Sequence, residues 1–328
     1  MQNKTDRFQL KPTKVDEKYQ FNFHTFNPKV EGVLVLFSLV VLPLISIIFL
    51  NIFKKSLNLD SDKMGLIINI LTLIFSTIGG IIFWRLRPTN FVSSGAIILF
   101  LFPLILFISS IAGIVFITVV PGLLDKTTSK PIGWGAIILT LFQILGEVLL
   151  MIFAFKKITD LKAKMIATLK EDKLRVLLVV SIFTLLMFLI ASVLYGIIAA
   201  KLGLGESQNQ QALVEPLKDP KTRIAYIFVL IVLTIIIGPL LEELIARQAI
   251  FTTVSSRWLS IITSALFFGI MHIGSGDIAN IGSYVIGGLI LAVVFDITRG
   301  NITYSWLVHT LYNTIILIIV LASKDAFK

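Results

Sequence analysis

The sequence predicts an all-α, polytopic transmembrane helix bundle of about nine spans, and three observations carry that reading. Of the 328 residues, 56% are hydrophobic and only 15% charged, with a mean hydropathy of +0.93; soluble domains hold about 45–50% and about 25%. The apolar residues arrive in uncharged runs near the roughly 20 residues that cross about 30 Å of hydrocarbon. The basic residues fall between those runs, where Lys and Arg set membrane orientation rather than bind nucleic acid. A nucleic-acid partner is therefore not expected despite a net charge of +10. The partner expected from composition is membrane lipid.

The runs lie at about 33–53, 64–84, 94–120, 133–155, 175–200, 224–247, 257–273, 279–298 and 302–322. The seventh is short and the third contains Pro103. Residues 1–32 read as a polar cytoplasmic tail, 33–155 as four N-terminal spans, 156–174 as a charged cytoplasmic connector and 175–323 as the functional domain. Polar residues of Lys201–Arg223 read as an external loop. With the N-terminus cytoplasmic, 18 of the 29 Lys and Arg fall on that side, as the positive-inside bias requires. Cysteine is absent, which excludes disulfides, a thiol nucleophile and a thiolate metal site.

Ionisable groups inside hydrocarbon cost at least about 2.5–3.5 kcal/mol each on insertion scales, so they persist when paired or functional. Glu243 and Arg247 stand four apart and share a helix face, the order that favours pairing. Glu242 points about 100° away and has no basic residue three or four positions on. It therefore needs a partner from another helix, or work as a general base or acid. His272 ends an apolar run. His309 and Asn313 again share one face, where an imidazole and an amide can polarise a carbonyl. Gln143 and Glu147 read as an interhelical hydrogen-bonded pair that orients the N-terminal spans, and Asp296 with Arg299 as an ion pair three residues apart. Pro239 removes an N–H, frees the carbonyl of Ile235 and permits a kink one turn before Glu242.

Other catalytic patterns fit less well. No H-E-x-x-H occurs, nor a Ser in a G-x-S-G turn. Gly274-Ser-Gly-Asp277 matches the G-x-G-D of aspartyl intramembrane proteases. However, its companion Asp296 follows instead of preceding it, and a turn with Asp capping the next helix explains the motif.

The motifs at Glu242–Arg247 (E-E-x-x-x-R), Phe268–His272 (F-x-x-x-H) and His309–Asn313 (H-x-x-x-N), in that order on three spans, resemble the CPBP family. These are the CAAX proteases and bacteriocin-processing proteins, formerly the ABI family. The resemblance implies an intramembrane endopeptidase whose cavity opens toward the cytoplasm. It implies that Glu242 activates water with Glu243 and His272 assisting, while His309 and Asn313 stabilise the oxyanion. No cofactor is favoured. Zinc is the alternative, with Glu242, His272 and His309 as ligands. The competing function is a non-catalytic scaffold or bacteriocin-immunity protein of the same fold, and a third is a proton-coupled transporter using Glu147 and Glu242. The composition looks bacterial. For Glu242 and His272 to meet, the sixth helix must run on to about Val254.

Overall fold

The computed structural model describes residues 8–323 except 126 and 129; the first seven residues of the expected tail lie outside that range. No strand occurs among the described residues, and eight helices are long and apolar enough to cross a membrane. Helix α1 (Lys14–Lys18) precedes the spans α2 (Pro28–Phe53), α3 (Ser61–Leu86), α4 (Ala96–Val119) and α5 (Trp134–Lys157). The connector forms α6 (Leu161–Glu171), then comes the span α7 (Lys173–Lys201), and the short α8 (Gln208–Val214) lies in the loop after it. The functional region is α9 (Arg223–Val254), α10 (Arg257–His272), α11 (Ile281–Ile297) and α12 (Ile302–Ala322).

All nine apolar runs are helical, but α10 has only 16 residues, about 24 Å long and short of a full crossing. It pairs with α11 as a tight hairpin. A Cβ on Gly288 would stand 2.9 Å from the Phe268 Cβ and 3.0 Å from the Ala265 carbonyl oxygen, so only glycine permits this approach. Helix α9 continues to Val254 as 32 residues, the extension that a meeting of Glu242 and His272 demands. It is interrupted by two wide, π-helical stretches, Val232–Ile237 and Leu244–Ala249, on either side of Gly238–Glu243.

Residues 8–27 do not form a loose tail. Thr13 and Asp16 make a capping box at α1, which cancels two orphan N–H groups. The Leu10 N–H donates to the Ile297 carbonyl at 2.8 Å, the Phe26 N–H to Ser255 Oγ at 2.7 Å and Arg175 to buried Asp16 at 3.5 Å. Phe21 covers Gly300, whose φ of +71° and missing Cβ the turn before α12 requires. Lys164 of the connector is buried and donates to the Gly300 carbonyl at 3.1 Å. One hydrophobic core runs from Phe26 and Val35 through Phe83, Leu99 and Ala154 to Phe251, Phe295 and Val308. The four N-terminal spans therefore pack into the same body as the functional region.

Candidate active site

Helix α9 supplies two carboxylates with opposite environments. Glu243 is fully buried and ion-paired to Arg247 Nε at 3.1 Å, four residues on, as their spacing predicts. Arg247 also donates to Ser264 Oγ at 2.9 Å, and Ser264 in turn donates to the Ala246 carbonyl. Its guanidinium lies 4.8 Å from the centre of the Phe268 ring, a cation–π contact strengthened by desolvation. The other oxygen of Glu243 meets His309 Nδ1 at 3.2 Å.

Glu242 keeps 25% of its side-chain exposure. Its Oε2 lies 3.8 Å from His272 Nε2 and 3.7 Å from His309 Nε2. These separations are too long for direct hydrogen bonds, and Glu242 Oε2 has no such partner among the described residues. The far side of each ring is fixed: His272 Nδ1 reaches the Phe268 carbonyl at 2.8 Å, and His309 Nδ1 reaches Glu243. A carbonyl can only accept, so His272 carries its proton on Nδ1 and offers Nε2 as an acceptor toward Glu242.

The sequence places Asn313 on the face of His309. Its amide does lie on that side, but it donates to the Thr234 carbonyl of α9 at 2.9 Å. In the wide stretch Val232–Ile237, carbonyls pair five residues ahead. The counterpart of Thr234 is then Pro239, which has no N–H. The carbonyl served from outside is thus that of Thr234 and not the expected Ile235, because the ladder before Pro239 is shifted by one residue.

Sequence reasoning missed Tyr284, Ser264 and Thr234. Tyr284 of α11 stacks on His272, with centroids 4.5 Å apart and planes 18° apart. Its hydroxyl meets Ser207 at 2.7 Å and accepts from Asn209 at 3.4 Å, both in the segment between α7 and α9. A tyrosine in an apolar span was the available signal, because a buried phenol seeks a partner.

Three expected polar arrangements differ. Gln143 donates to Glu147 at 2.8 Å within α5 itself, so this is not an interhelical pair. Glu147 Oε2 is buried without a hydrogen-bond partner among the described residues, and Glu147 lies near enough to Glu242 for the two carboxylates to interact. Asp296 pairs with Arg257 across the α10–α11 hairpin through two bonds of 2.7 Å. Arg299 lies beyond the helix end with φ +57° and donates instead to the Leu10 carbonyl. Asp277 accepts the Gln208 N–H at 2.9 Å and does not cap its own helix.

Zinc needs three convergent protein ligands and an open position. Among the described residues no trio of His, Asp and Glu is disposed to hold a metal ion. The two imidazoles face one carboxylate oxygen.

Fold and site together define a polytopic helical membrane protein with paired carboxylates and two imidazoles at its centre. The model of the Rce1-like family, type II CAAX prenyl endopeptidases, matches residues 224–315. An uncharacterized protein of Mycoplasma capricolum subsp. capricolum is 43% identical over 317 residues, which cover 96% of this chain and 94% of the relative. No solved structure matches. The chain belongs to the Rce1-like family of the CPBP proteins and is a multi-pass membrane protein with a CAAX-type intramembrane protease region.

Proposed function

We propose that the protein hydrolyses a peptide bond of a membrane-associated peptide or protein with a water molecule activated by Glu242. The observation that carries this reading is the convergence of both imidazole Nε2 atoms on the one partly exposed carboxylate, at 3.7 and 3.8 Å. Such gaps are too wide for direct hydrogen bonds and suit a bridging water. That water gives one proton to Glu242 and directs its other hydrogen to His272 Nε2. Its oxygen adds to the scissile carbonyl carbon. As the carbon–nitrogen bond breaks, Glu242 returns the proton to the leaving amine.

Glu243 acts one step back, orienting His309 through Nδ1 while Arg247 balances its charge. In this role His309 acts as an imidazolium, donating from Nδ1 to Glu243 and from Nε2 to the developing oxyanion, and the second N–H of Asn313 is assigned to the same oxygen. Residues 175–323 carry these groups and the spans of 33–155 brace them. A bacterial cell membrane with the N-terminus in the cytoplasm accords with the Mycoplasma relative and the basic-residue bias.

The test is cleavage of a membrane-inserted peptide by the purified, detergent-solubilised protein. Glu242→Gln should lose turnover by about 10²–10⁴-fold, and near-wild-type turnover would remove Glu242 from this role. Exhaustive chelation should leave the wild type active. Activity that disappears, tracks bound zinc and returns with it would replace the glutamate mechanism by the zinc one. A wild type that cleaves nothing yet holds a partner as tightly as Glu242→Gln would identify a scaffold or immunity protein.

A further inference from the structure

Helix α12 carries His309 and Asn313, yet little in its own sequence fixes which way they face. From Ile302 to Ala322 its apolar residues lie on every side. Lipid tails are as apolar as such side chains, so burial alone does not select one rotation. Directional bonds and steric fit must do so.

Four polar contacts meet this helix from the connector and α7. Asn301, the N-cap, accepts the Thr303 N–H at 3.2 Å through its amide oxygen. Its amide nitrogen donates to Thr168 Oγ1 at 2.9 Å. The Tyr304 hydroxyl faces Asp172 at 3.5 Å, Thr184 Oγ1 donates to the Val308 carbonyl at 3.4 Å, and Ser192 meets the Tyr312 hydroxyl at 2.7 Å. The two short bonds, Thr168 to Asn301 and Ser192 to Tyr312, stand at the ends of the series and bracket His309; the two between are long and weak. Thr168, Asn301, Thr184 and Tyr304 are all buried.

Positions 301, 304, 308 and 312 recur every three or four residues and so share one side of the helix. His309 and Asn313 each follow a member of that series by one residue, about 100° further round. Holding one side therefore aims the other. The tolerance is small, because His309 Nδ1 lies 3.2 Å from Glu243. A ring roughly 5–6 Å from the helix axis moves about 2 Å for about 20° of rotation, which breaks that bond. A misplacement of about 1 Å can cost about 10²-fold in rate.

We propose that Thr168 and Ser192 are positioning residues of the active site: by clamping Asn301 and Tyr312 they set the rotation of α12 and hold His309 against Glu243. Both lie outside residues 224–315, the part of the chain that the family model matches. The effect on rotation rests on these contacts, and its consequence for turnover rests on the proteolytic reading.

The chain has three histidines, His24, His272 and His309, so nitrogen-15 labelling of histidine in the detergent-solubilised protein gives a spectrum simple enough to assign. In wild type the Nδ1–H proton of His309 is moved downfield by its bond to Glu243, and its signal is the one lost in His309→Gln. Thr168→Val combined with Ser192→Ala removes both clamps and should move that signal upfield, while the signals of His24 and His272 stay in place. Thr168→Ser combined with Ser192→Thr keeps both hydroxyls and should restore it. In the first variant kcat should fall by about 10–10²-fold with a smaller change in KM, and in the second it should recover. Should the first variant not fold, Ser192→Ala and Tyr312→Phe, each lacking one hydroxyl of the same clamp, carry the measurement. A His309 signal that stays in place in the folded variants overturns the proposal. So does a His272 signal that moves by as much, which marks general loosening and not rotation of α12. A His309 signal that moves while kcat is unchanged sustains the clamp and removes His309 from the hydrolytic mechanism, so the two readings fail separately.

Discussion

Glu242 and Glu243 are adjacent in the chain and opposite in circumstance. Glu243 belongs to a dry floor, where Arg247, Ser264, Phe268 and His309 surround it. Glu242 belongs to the mouth, partly exposed and with no direct hydrogen bond to Oε2 among the described residues. One residue of helix, about 100° of rotation, separates a carboxylate that holds structure from one that is available for chemistry. The difference is that Glu243 is held by a guanidinium at 3.1 Å and an imidazole at 3.2 Å, whereas Glu242 has no partner closer than 3.7 Å and keeps its lone pairs for a water.

The sharpest break of this comparison exchanges the two carboxylates. Glu242→Gln should abolish turnover by about 10²–10⁴-fold with its melting temperature unchanged, whereas Glu243→Gln should lower thermal stability in detergent as well as turnover. Equal melting temperatures for the two variants would mean that floor and mouth are not distinct. Next comes Arg247→Ala, which strands the Glu243 charge. Losing one partner of a buried pair costs about 3–5 kcal/mol, readable as a lower detergent melting temperature. An unchanged value would place the pair at water.

Asn313→Ala probes the mouth. It should reduce kcat by about 10²–10³-fold with a smaller change in KM, as loss of an oxyanion donor does. A change confined to KM would recast Asn313 as a substrate-positioning residue.

The smallest effect concerns Lys164, outside the spans. Burial of its ammonium lowers its pKa from 10.5 to about 8. A lowered folded value means the unfolded chain holds more protons between pH 8 and 10.5. The penalty is therefore fully present below pH 8 and fades as pH rises toward 10.5. Wild type should accordingly gain stability relative to Lys164→Met across that window, by at most about 3 kcal/mol. A stability difference that stays flat from pH 7.5 to 10 would show that Lys164 is solvated.

Much of this organisation is legible in the residues themselves. Apolar runs mark each helix because lipid imposes length and excludes charge. The Glu243–Arg247 pair is readable because four residues bring two side chains to one face. What is not readable depends on neighbours remote in sequence. Asp296 has a nearby basic residue in Arg299, yet the helix stops at Ile297 and Arg257 across the hairpin takes its place. Asn313 can be assigned a face but not its acceptor, since Thr234 becomes available only when the ladder of α9 shifts. The docked N-terminal residues are polar and look solvated, but Leu10, Phe21, Phe23 and Phe26 make backbone or ring contacts to segments remote in sequence.

The wide stretches of α9 have a consequence for how such a site is encoded. Each stretch amounts to one residue inserted into an otherwise regular helix, so the Glu242–Glu243 segment is rotationally out of phase with the turns before Val232 and after Ala249. Deleting a single residue from either stretch would let the regular ladder close. The dyad would then swing by about 100° relative to that half of the helix. The composition would hardly change and a crossing helix would remain, but the floor carboxylate would turn to face lipid or the mouth carboxylate would turn into the core.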